Sequence, residues 1–79
     1  MGFDVHVLVT LKKAPNEALM TVLDDKFEAA THEVGTKTVQ IVEHVAVDDE
    51  ADAVAFVRSL VLEAIPQGAI ISDVTVTAD

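Results

Sequence analysis

His6, His32 and His44 are the residues of this chain best suited to chemistry near neutral pH. Imidazole titrates in that range and ligates metals through either ring nitrogen. His6 and His44 lie in runs of alternating valine, Val5-Val7-Val9 and Val39-Ile41 with Val45-Val47, which read as strands with one face on a core. Antiparallel pairing with full overlap of residues 3–11 and 39–47 sets His6 opposite His44, with Asp4 on the same face. Two imidazoles so placed could hold a metal or pass a proton. No third ligand is evident, and the plainer reading is two half-exposed strand histidines in a subunit interface. No metal site and no cofactor are therefore assigned. His32 falls near a hairpin end, remote from His44.

The acidic cluster Asp48, Asp49, Glu50 and Asp52 lacks the mid-loop glycine and distal glutamate of a calcium loop. Carboxylates at a helix start cap free N–H groups and meet the positive end of the dipole, which is sufficient reason for them here. Nucleophilic catalysis finds no motif: the chain has no cysteine, and Ser59 and Ser72 lack both a glycine-flanked elbow and a positioned base. The three glycines are scattered, so no phosphate loop can be built. The chain reads as non-enzymatic.

Charge narrows the partners. Fourteen acidic residues against five basic ones give a formal net charge of −9. Such a surface repels phosphate backbones and anionic lipid, which argues against direct nucleic-acid or membrane binding. No apolar run reaches the roughly 18–20 residues of a membrane span, and no leader pattern is visible at the start, so a cytoplasmic protein is expected. Seventy-nine residues make one domain with a small core, for which association is a common remedy.

The elements that must position these residues follow from periodicity. Residues 3–11 form the first strand. Pro15 opens a helix at its first position, with Ala18, Leu19, Val22 and Leu23 at helical spacing. Two readings follow. The helix ends near Asp24-Asp25 and residues 27–34 form a short strand turned by Gly35-Thr36, or the helix runs on through Phe27, Ala30 and Val34 to give a three-stranded βαβαβ domain. The hairpin is preferred because it leaves less sheet edge unpaired. Residues 37–47 form the next strand, its apolar face interrupted by Glu43. Asp48 or Asp49 caps a second helix carrying a stripe of Ala53, Phe56, Val57, Leu60, Val61 and Ala64, ended by Pro66. Residues 69–77 form the last strand.

The order β-α-β-β-α-β resembles the ferredoxin-like fold, an α+β sandwich with two helices on one face of a four-stranded antiparallel sheet. The stretch FEAATHEVGTKTVQIVEHVAVDDEADAVAFVRSLVLEAI is similar in rhythm to small domains of that type from actinobacteria or their phages. The resemblance implies a fold and transfers no functional residue. On that fold the face away from the helices presents His6, Leu8, Thr10, Gln40, Val42, His44, Ile71 and Asp73, with Phe27 or Ala29 beside them. A face that mixes apolar and polar residues is a contact surface. The function expected is that of a small acidic accessory or regulatory module that binds protein and forms a homodimer through this face. Two alternatives stand beside it: an acidic inhibitor that imitates nucleic acid, as a phage would encode, and a small ligand- or metal-binding domain using the open sheet face.

Overall fold

Alternating valines become three of the four strands in the computed structural model, which describes residues 2–78. The elements run β1 (Phe3–Thr10), α1 (Glu17–Lys26), β2 (Ala29–His32), β3 (Thr38–Val45), α2 (Glu50–Ala64) and β4 (Ile70–Ala78). The strands form one antiparallel sheet in the order β2-β3-β1-β4. This is the ferredoxin-like α+β arrangement, and the three-stranded alternative with a long first helix is set aside.

Val5, Val7 and Val9 of β1 and Val39, Ile41 and Val45 of β3 point to the helix side and are buried. Leu23 of α1 and Ala53, Val57 and Val61 of α2 meet them, with Leu11 and Phe27 closing the ends of the core. The inward stripe of α1 is Leu19, Met20 and Leu23, while Ala18 and Val22 are exposed. On α2, Phe56 stands 54% exposed, because the 53-57-61 row already fills the space over the sheet.

Local chemistry sets the element ends. Asn16, rather than Pro15, begins α1: its Oδ1 accepts from Leu19 N at 2.8 Å, so Pro15 lies one residue before the cap. The helix stops at Lys26 because Phe27 adopts an extended conformation (φ −121°, ψ 162°) and turns into the core. The hairpin is looser than a two-residue turn. β2 is four residues long, and residues 33–37 bridge it to β3 through Thr36 N donating to Glu33 O and Gly35 at φ +88°. Glu43 shares the helix-side face of β3 without a bulge, and its Oε1 accepts from Glu28 N at 3.0 Å. An acid on the core side thus satisfies the backbone where α1 hands over to β2.

Gly2 fills a tight corner beside β3. A Cβ there would stand 2.7 Å from Val45 O and 2.9 Å from His44 Nε2. Backbone cannot yield as a flexible side chain does, so Gly2→Ala is expected to lower stability by about 1–3 kcal/mol, read as a reduced urea midpoint at unchanged m-value.

Candidate functional site: the open sheet face

The residues that face away from the helices form a regular lattice, because each strand contributes alternate side chains. One row crosses the sheet as Ala29, Val42, His6 and Thr75, and the next as Thr31, Gln40, Leu8 and Asp73. Beyond them lie His44, Asp4 and Thr77 at one end and Thr38, Thr10 and Ile70 at the other. Leu8 at the centre is 37% exposed, Val42 and His6 are half-buried, and Gln40, His44 and Asp73 are exposed.

The register differs from full overlap by two residues, and this separates the histidines. Asp4 pairs with His44, and His6 pairs with Val42. A shift of two keeps every side chain on its expected face and changes only its neighbour across the strand. His44 Nδ1 lies 2.8 Å from Asp4 Oδ1, with the imidazole N–H donating to the carboxylate. Both side chains are well exposed, 38% and 40%, so the pair contributes at most about 1 kcal/mol. His32 lies at the hairpin, where Nε2 donates to Thr36 O at 2.8 Å. Among the described residues no three His, Cys, Asp or Glu side chains converge as a metal cluster.

Ile71 requires a correction. Strict alternation from Asp73 places it on the open face, but β4 carries a bulge where the pairing moves from Leu8–Asp73 to Val9–Ile71 and skips Ser72. The extra residue reverses parity. Ile71 therefore packs against the core beside Val9, and Ile70 takes the open face at 61% exposure. The Ser72 and Thr10 hydroxyls hydrogen-bond to each other at this point. Phe27 is likewise in the core, which leaves Ala29 on the open face. The chain does contain the signal: Ile71 and Val74 are three apart, and a regular strand cannot turn both inward.

Two shallow depressions flank Leu8 and Gln40 on this face, one toward Thr31 and Thr38, the other toward His6, Asp73 and Thr75. Each encloses about 110 Å³, well below the roughly 300–1,000 Å³ typical of small-ligand sites.

The acidic helix start lies elsewhere. Asp49 is the N-cap of α2, its Oδ1 accepting from Ala51 N at 2.7 Å and Asp52 N at 3.3 Å. Glu50 and Asp52 stand in the first turn, and Asp48 is exposed just before it. Asp49→Ala is expected to cost about 0.5–2 kcal/mol, whereas Asp48→Asn should stay within about 0.5 kcal/mol of the parent. Chemical denaturation of the two variants side by side checks the assignment.

Among the described residues no helix is long and apolar enough to cross a membrane. No protein-family model matches this chain, and neither a curated protein nor a solved structure matches it.

Proposed function

We propose that this chain is a non-enzymatic interaction module that works as a homodimer, two copies packing open face to open face. One observation carries the reading: the strand positions of the open face carry few of the acids of this strongly acidic protein, with Glu33 of the hairpin bordering the depression beside Leu8 and Gln40. The chain has fourteen acidic residues, yet among the described residues the strand positions of this face carry only Asp4 and Asp73, and Asp4 is bonded to His44. Most of the other acids lie on the helices and their flanking loops. Like-charged copies repel at a distance, so they can approach only where charge is sparse. Leu8, Val42, Ala29 and Ile70 offer apolar contact there, and the threonines and Gln40 offer hydrogen bonds.

The size of the face sets the strength. Strands of eight or nine residues beside a four-residue edge strand give a footprint of roughly 25 by 15–20 Å. That is below the scale of a standard interface of about 800 Å² per partner, so the dimer is of modest affinity. Salt acts in a distinctive direction. Screening relieves repulsion between two chains of charge −9, so association strengthens from low to physiological ionic strength. Sedimentation equilibrium over a wide concentration range, at two salt concentrations, tests the proposal. A strict monomer at the highest concentration removes it.

A further inference from the structure

We propose that the cleft between the β1–α1 connection and the turn before β4 binds a small aliphatic carboxylate. The cleft encloses about 280 Å³ and is partly open to solvent, close to the lower end of ligand-site volumes. Leu11, Pro15, Leu19 and Pro66 give it apolar walls, and the exposed Lys12 and Lys13 are among its lining residues. No acidic side chain lines it. Among the described residues neither lysine forms an ion pair.

The absence of a side chain at Gly68 leaves room for the Lys12 stem. A Cβ at Gly68 would overlap Lys12 Cε and stand 2.8 Å from its Cδ, so the lysine stem lies directly over the glycine. Gly68 also has φ +91°, a conformation that favours glycine. The turn therefore leaves space for the Lys12 side chain beside the cleft. The polar side chains beside it are partly committed, since Asn16 Oδ1 already accepts from Leu19 N. Apolar walls and two cations without carboxylate partners fit a ligand with an aliphatic body and one anionic head. The site is distinct from the open sheet face and does not depend on dimerisation.

The test is a ¹⁵N–¹H correlation titration of the full chain with hexanoate, with hexanol and hexylammonium as comparison probes. Hexanoate should give saturable shifts confined to residues 11–19 and 66–68. Hexylammonium should give none, and hexanol should bind at least tenfold more weakly. The K12Q/K13Q double variant alters two exposed side chains and should keep the parent's spectral dispersion while losing at least tenfold in hexanoate affinity. Added sodium chloride should weaken binding in the parent. Equal binding of hexanol and hexanoate, undiminished binding by the double variant, or shifts scattered over the sheet face would each overturn the proposal.

Discussion

Leu8→Lys is expected to abolish the proposed dimer while leaving the monomer folded. Leu8 is 37% exposed at the centre of the open face, so its replacement removes little core packing. Asp73 lies directly across on β4, and an opposite-charge pair across strands offsets part of the lost β propensity. Monomer stability should therefore stay within about 1 kcal/mol of the parent. In the dimer the same ammonium is enclosed between two sheets, where desolvation costs several kcal/mol. Dissociation should strengthen at least about a hundredfold, equivalent to about 2.7 kcal/mol. Sedimentation reads the association and urea titration reads the monomer. A variant that associates like the parent would show that the open face is not the contact.

Deleting Ser72 and deleting Gln40 should have opposite outcomes, although both remove one residue from a strand. Ser72 is the extra residue of the β4 bulge, and Asp73 and Ile71 already pair with the consecutive residues Leu8 and Val9. Its removal leaves Ile71, Val74 and Val76 on the core side and costs the hydroxyl contact with Thr10, about 1–2 kcal/mol in all. Gln40 has no such slack. Its loss turns either Val39 or the segment from Ile41 to Val45 outward, and Val39, Ile41 and Val45 are all buried. Each exposed aliphatic side chain forfeits about 1.5–3 kcal/mol, against a total stability of about 4–12 kcal/mol for a chain of this length. The Gln40 deletion should be unfolded by amide spectral dispersion and the Ser72 deletion folded. If both unfold, the bulge is not the neutral insertion described here.

The faces of the sheet were legible in the chain because parity is robust. Valines at 5, 7, 9, 39 and 45, with Ile41, declare which side is buried, and a register error of two does not disturb that. Neighbours across strands were not legible, because hydrophobic alternation repeats every two residues and cannot tell His6–His44 from His6–Val42. β1 and β3 are joined only through α1 and β2, so no local turn fixes their register. Ile71 failed for a different reason: one added residue inverts everything on its far side, so a local irregularity produced a misplacement of a whole side chain. Phe56 shows the limit of helical periodicity, which marks an apolar stripe wider than the sheet below can cover. The Lys12–Lys13 cleft was invisible as a site, since its walls come from residues 11–19 and 66–67, far apart until the sheet closes.

That closure has a consequence for synthesis. β1 is an inner strand, bordered on one side by β3 and on the other by β4, with Phe3 paired to Ala78. β1 is thus completed only by β4, made more than fifty residues later. While the ribosome is still adding residues 70–78, β1 carries a row of unpaired N–H and C=O groups along a valine-rich edge. Contacts so distant in sequence form slowly, and a nascent chain in that state is open to mispairing with its neighbours. The interval before β4 emerges is therefore the period in which this protein most needs protection from other copies of itself.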